Sequence, residues 1–340
     1  MKFFSLICTC VFAASLAAQD RQLEIYWIDV EGGAATLIVT PAGESILVDT
    51  GQDLERDVSR VADVALRQAG LRQIDNFVAT HWHADHYGGV SKLNQRIPLK
   101  HFYDHGDIPK TLPDDPAFPQ LIKLYLQVTG GKSTALRPGD IIPLEQSGNG
   151  PRLRVECMAS DRKVGGNSHG PQNPACAGRK IPAIDPTDNP KSVVLKLTYG
   201  RFSFLDGGDL TRDVEEQLVC PVNRIGTVDL YQTDGHGMDV SNSVIFVHSI
   251  RPRVVVANNG PDKGADPETM RAVFSSPGVE TVWQVHRNLK GPKELNTRAE
   301  FIANESANCS AQFIKAAVRA SGAFSLRIGA AGAEKMYAAR

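Results

Sequence analysis

Between Thr80 and Gly89 the chain reads THWHADHYGG, which places His81, His83, Asp85 and His86 within six positions. The run follows NFVAT, a short apolar segment with the composition of a strand. Any fold this chain adopts must therefore carry a crowd of ionisable donors at the end of a strand. In an extended segment His81 and His83 point the same way, because side chains alternate with a period of two. Asp85 and His86 come where the chain is expected to turn into a helix, so they aim at a second point nearby. Imidazole nitrogens and carboxylate oxygens together suit zinc and related divalent ions. A lone histidine usually has no special role, but this spacing predicts a segment that feeds two neighbouring metal ions.

The flanking sequence tells where that segment sits. LEIYWIDV and ATLIVT are β-rich runs separated by Glu31-Gly32-Gly33, a hairpin-like break, and SILVDTG is a third strand ending at Gly51. Val58, Val61, Ala62, Ala65 and Ala69 recur at helical spacing until Gly70 stops the helix. Residues 104–190 are rich in Pro, Gly and Asp and are expected to be a long irregular insertion with one helix near Gln120–Gln127. Regular structure resumes with SVVLKLTYG and RFSFLDGGD, two strands around a Tyr199-Gly200 turn. Further strands are expected at VDLYQTD, RVVVANN, TVWQV, QFIKAAV and AFSLRI, with helices near Ser241–Ser249 and Pro267–Phe274. Strands followed by alternating helices and strands, twice over, predict two packed sheets with helices outside. Nothing resembling an interdomain linker divides 19–340.

Met1-Lys2, the apolar run Phe3–Leu16 and the small residues of SLAAQ read as a signal peptide over 1–18, cleaved near Ala17 or Ala18. The run is short for a bilayer, so a secreted or periplasmic protein with no stable membrane insertion after signal removal is expected. Export would leave Cys157, Cys176, Cys220 and Cys309, which allow disulfides whose pairing the sequence does not rank, or free buried thiols. A formal net charge of -1 without a long basic run argues against a broad duplex nucleic-acid footprint.

THWHADHYGG resembles the H-x-H-x-D-H motif of the metallo-β-lactamase superfamily. IDVEGGAATLIV and ILVDTG resemble the strands that open that fold, and NPKSVVLKLTYGRFSFLDGGDLT resembles its strand pair ending in a Gly-Asp ligand motif. DGHGMDVSNS resembles the His-His-Gly segment of the ComEC-type branch, and a secreted, stand-alone member of that branch is the nearest match. The resemblance implies an α/β, four-layer αββα sandwich with two divalent ions, Zn2+ the expected metal, on one edge. By position, His81 and His83 would bind the first ion, Asp85 and His86 the second, Asp209 would bridge both, and His236 would complete the second. Asp49 would orient a ligand from behind.

Two departures stand out. Many members carry a further histidine shortly before the SVVL strand, where this chain has Asp188-Asn189; the ComEC-type branch often has Asn there. His105 in YDHG or His169 in NSHG are the candidates to fill that place. Gly235 stands where the branch commonly has the first histidine of His-His-Gly.

The expected activity is exported hydrolysis by a metal-bound hydroxide, with Asp209 and Asp85 as the catalytic carboxylates, on an ester, phosphodiester or amide-type substrate, small or oligomeric. No Gly-x-Ser-x-Gly segment competes. His286 and Lys263 are loop candidates for the proton donor, and Asn258 and Asn259 for substrate contact. Nucleic acid remains a substrate class that the net charge does not favour. The alternatives are a non-catalytic metal-binding module with an incomplete first site, or an iron-loaded redox protein.

Overall fold

The computed structural model describes residues 21–148 and 150–340. The leader expected over 1–18 lies outside them. The described residues form two mixed sheets. The nine-stranded sheet runs, in spatial order, from Lys335–Tyr337, Phe324–Ile328 and Ile314–Val318 through Leu23–Trp27, Thr36–Val39 and Ser45–Val48. It ends with Ile74–Val78, Leu99–Asp104 and Thr134–Ala135. The eight-stranded sheet runs from Ile302–Asn304, Thr281–His286, Val254–Ala257 and Leu230–Gln232 through Phe202–Asp206 and Val194–Tyr199. Leu153–Ser160 and Lys163–Val164 close it.

The strand sequences explain why the sheets stack and why helices must cover them. In Leu23–Trp27, Ile25 and Trp27 belong to the core between the sheets while Tyr26 belongs to the outer core. Ile46 and Val48 face inward and Leu47 outward in the same way. A strand apolar on both faces must be covered on both. The outer face of the first sheet is covered by Glu55–Asp63, whose Val58, Val61 and Ala62 are buried, and by Phe118–Thr129. The second sheet is covered by Arg212–Val219, Val244–Ile250 and Pro267–Phe274. The result is the αββα sandwich of the metallo-β-lactamase fold.

Several elements differ from expectation. The region 104–190 is not irregular throughout: Leu153–Ser160 is an inner strand with a long ladder to Val194–Tyr199. Its alternation of buried Leu153, Val155 and Cys157 with half-exposed Arg154 and Glu156 is a period-two signal, masked by the Pro- and Gly-rich flanks. The helix around Gln120 is longer than expected, Phe118–Thr129, with Pro119 in its first turn and left-handed Gly130 at its end. The short strands Ile302–Asn304 and Lys335–Tyr337 have too few residues to show a period. Cys176 and Cys220 form a disulfide, while Cys157 and Cys309 are free thiols. Among the described residues no helix is long and apolar enough to cross a membrane.

Candidate metal centre

Five strand ends from the two sheets converge on one edge of the sandwich. Ile74–Val78 delivers Thr80 and His81, and Ser45–Val48 delivers Asp49. From the second sheet, Phe202–Asp206 leads to Asp209, Leu230–Gln232 to His236, and Val254–Ala257 to the loop bearing Lys263. Strand ends suit such a site because the backbone is anchored while the side chains face open space.

His81 and His83 do project together: His81 Nε2 and His83 Nδ1 lie 2.9 Å apart. Trp82 between them points the opposite way into the core, against the rings of Tyr87, His105 and Tyr125. The other ring nitrogens are held from outside the site, His81 Nδ1 3.1 Å from Thr80 Oγ1 and His83 Nε2 3.0 Å from Asp114 Oδ2. Burial, with the neighbouring His86 and His83, pushes His81 well below the usual histidine range, which keeps it in the neutral form that binds a cation.

Four donors form a second group. His86 Nε2 stands 3.2 Å from Asp209 Oδ1 and 3.8 Å from Asp85 Oδ2; His236 Nε2 stands 3.3 Å and 3.4 Å from the same two oxygens. An ion at roughly 2.0–2.1 Å from four tetrahedral ligands needs ligand separations of about 3.4 Å. These four atoms surround a space of that size. His86 Nε2, His236 Nε2 and Asp209 Oδ1 are moreover buried without a hydrogen-bond partner. Buried polar atoms are seldom left so, and a shared cation would satisfy all of them at once. Burial alone would raise the Asp209 carboxyl; the His236 and His86 imidazoles beside it outweigh this and hold it well below the usual carboxylate range. The residues therefore fit a divalent ion, and Asp209 also groups with His81 and His86, between the two donor sets.

Asp49 sits directly behind. Its Oδ2 accepts from His86 Nδ1 at 2.7 Å and from Thr80 Oγ1 at 2.7 Å, and its Oδ1 accepts from Thr80 N at 2.9 Å. That fixes the tautomer that turns Nε2 toward the other donors. Asp49→Asn is expected to weaken metal affinity by about 10–100-fold while the fold is retained, measured by zinc titration alongside circular dichroism. Unchanged affinity would show that His86 needs no such partner.

The place of the missing histidine is explained by what Asp188 does. Its Oδ2 accepts from Trp82 N at 2.8 Å and from His105 Nε2 at 3.1 Å, and its Oδ1 pairs with Lys191 Nζ at 3.2 Å. Asp188 thus anchors the backbone between the two motif histidines. His105 is spent on Asp188, and His169 lies in an exposed loop. Among the described residues neither joins the donor groups, so the first position is held by His81, His83 and Asp209. Gly235 is also accounted for. Its φ is +55°, and a Cβ there would stand 2.8 Å from Ser241 Oγ, so a side chain at 235 has no room. The neighbouring His236, itself at φ 55°, carries the imidazole into the site.

Of the loop candidates, His286 is occupied elsewhere: its Nε2 lies 2.7 Å from Asp29 Oδ1. Asp29, His286 and Cys309 bring together three metal-capable atoms, but the Asp29 carboxylate is already saturated. It accepts from Glu31 N and His286 on one oxygen and from Arg60 and the Cys309 thiol on the other. That cluster is a closed hydrogen-bond hub. Asn259 Nδ2 donates to the carbonyls of Gly260 and His286, and so holds a loop. Lys263 does reach the centre, where its ammonium contacts Asp85 Oδ2. Asp114 on His83 and Ser192, which accepts from Asp209 N at 3.2 Å, carried no signal in the sequence beyond their polarity.

Residues 28–156 match the model of the Metallo-beta-lactamase superfamily. The Lactamase-like protein nscB of Aspergillus fumigatus is 38% identical over 84 residues, 24% of this chain and 23% of that protein. The Beta-lactamase-like protein 2 homolog of Drosophila melanogaster is 30% identical over 90 residues, 25% of this chain and 30% of that protein. The matches thus span about a quarter of the length of these curated relatives. Among solved structures, Zn(2+)-bound PqqB from Methylobacterium extorquens is similar at 14% identity and a TM-score of 0.43, covering 77% of this chain and 97% of that one. CmlA, a diiron beta-hydroxylase from Streptomyces venezuelae, is similar at 13% identity and a TM-score of 0.40, covering 75% and 49%.

Proposed function

We propose that this chain is a metal-dependent hydrolase of the metallo-β-lactamase superfamily, acting on an ester, phosphodiester or amide-type substrate. The observation that carries the reading is the set of four converging donors, Asp85, His86, Asp209 and His236, with buried atoms left unpaired beside the imidazole pair of His81 and His83. Divalent ions held there would acidify water and neutralise charge gathering on the substrate oxygen. Zn2+ suits this nitrogen–oxygen donor set.

The chain's own residues then have distinct tasks. His81, His83 and Asp209 hold one position, and Asp85, His86, Asp209 and His236 hold the other. Asp209, common to both, places its carboxylate where attacking water must lie. Asp49 and Asp114 keep His86 and His83 aimed. Asp85 and His83 are the partly exposed members of the set, so substrate enters past them, beneath Lys263 and Asp114. Phe, Trp and Tyr residues packed beneath Trp82 keep the inner side dry.

The ComEC-type motif order and the Cys176–Cys220 bridge support a secreted or periplasmic member of that branch, since such a bridge persists in oxidising compartments. The near-neutral chain lacks the basic groove that a nucleic-acid backbone would need. The reading is tested by metal analysis of the purified protein, then by turnover on generic phosphodiester, ester and lactam substrates, with chelator and after zinc is restored. Two ions per chain and chelator-sensitive, zinc-restored turnover are expected. One ion and no turnover in any class would favour the non-catalytic module. Visible absorption with iron bound would favour redox chemistry.

A further inference from the structure

The ammonium of Lys263 occupies a place that a second-site cation would contest. The loop that carries it is clamped on both sides. Gly260 N donates to Lys263 O at 2.8 Å, Ala265 N to His236 O at 3.0 Å, and Asp266 N to Gly237 O at 2.8 Å. A Cβ on Gly264 would stand 2.1 Å from His236 O, and one on Gly260 2.6 Å from the Glu31 carbonyl carbon, so the loop lies flush against the His236 turn and the first loop. The Lys263 stem passes Gly32, where a Cβ would stand 3.1 Å from Lys263 Cβ. This side chain is held by its surroundings, and its Nζ contacts Asp85 Oδ2. That oxygen is the one facing His236 Nε2 at 3.4 Å and His86 Nε2 at 3.8 Å.

We infer that Lys263 is a built-in counter-cation of the second metal position, which weakens the ion held there by Asp85, His86, Asp209 and His236. The inference rests on the metal reading above. An ammonium and a divalent ion sharing one carboxylate oxygen repel each other across a few ångströms in a poorly solvated pocket, where such repulsion is little screened. Asp85, rather than supplying its full charge to the ion, divides it between ion and lysine. Lys263 is a positioning residue in this scheme: it acts on the ion through Asp85, and the position becomes exchangeable instead of permanently filled.

The test is zinc binding to the full chain, read by calorimetric titration and by metal analysis after dialysis against graded zinc, for wild type, Lys263→Met and Lys263→Arg. Methionine keeps the stem and removes the charge. Lys263→Met is expected to bind the second ion ~10-fold or more tightly, a change of the size that groups behind metal ligands produce. Lys263→Arg, which keeps the charge, is expected to stay near wild type. Circular dichroism of the metal-free proteins checks that each is folded. Weaker or unchanged second-ion binding in Lys263→Met, with two ions in the wild type, overturns this inference alone and makes Lys263 a mere support for Asp85. Zinc bound by neither wild type nor Lys263→Met overturns it together with the metal-centre reading.

Discussion

Asp209→Asn is expected to lose the second ion and to drop turnover by ~10³-fold or more, a barrier increase of about 4 kcal/mol. The substitution keeps the shape of the side chain, so the folded structure should survive; what disappears is the negative charge. Asp209 is almost wholly buried, and its Oδ1 is the one carboxylate oxygen within 3.3 Å of both His86 Nε2 and His236 Nε2. An amide in that place can offer the ion a carbonyl oxygen but no charge, or turn its NH2 group toward it. Either outcome leaves a divalent ion poorly compensated in a site where burial has removed water's help. Metal content and kcat measured on the same preparation decide the matter. A variant with two ions per chain and turnover within a few-fold of wild type would remove Asp209 from the bridging role.

Removing the Cys176–Cys220 bridge is expected to cost about 2–4 kcal/mol of stability without emptying the metal centre. The cysteines are 44 residues apart in sequence, and closing a loop of that length removes considerable freedom from the unfolded chain. Between Gly165 and Asp188 the chain forms a single 3-10 turn, Pro174–Cys176, and contributes few buried side chains. Its other ties are polar: Asn173 Nδ2 to Val219 O and Ser249 Oγ, and Arg179 to Glu216. The double variant Cys176→Ser, Cys220→Ser should melt about 5 °C or more lower, and reductant should lower the wild type similarly. Proteolysis should cut first between Gly165 and Asp188. Metal content should hold, because all six donor residues lie outside that segment. A melting point indifferent to reductant would mean that the polar ties alone hold the segment.

Much of the fold was legible because both strand faces and helix stripes have periods that survive in sequence. Val58, Val61 and Ala62 announced their helix, and the alternation in LEIYW announced a strand packed on both sides. Where the reading failed, composition had drowned periodicity, as at Leu153–Ser160 among Pro and Gly, or the element was too short to have one, as at Lys335–Tyr337. The donor residues were legible for a related reason. His81 and His83 share a direction because alternate residues do, and His86 follows from the helix that begins at Ala84.

The sequence by itself thus determined the kind of chemistry on offer: a strand end carrying imidazoles and carboxylates at a spacing suited to divalent ions. The tertiary structure alone decided which of the remaining ionisable groups took part. His105 was spent on Asp188, His286 on Asp29, Cys176 found Cys220 and not Cys157 or Cys309, and Lys263 came to rest on Asp85, 178 residues away. The physical reason is that local periodicity fixes the direction of a side chain relative to its own strand. Which distant group it meets depends on the order of strands in the two sheets and on the packing between them, and neither is written in any one segment.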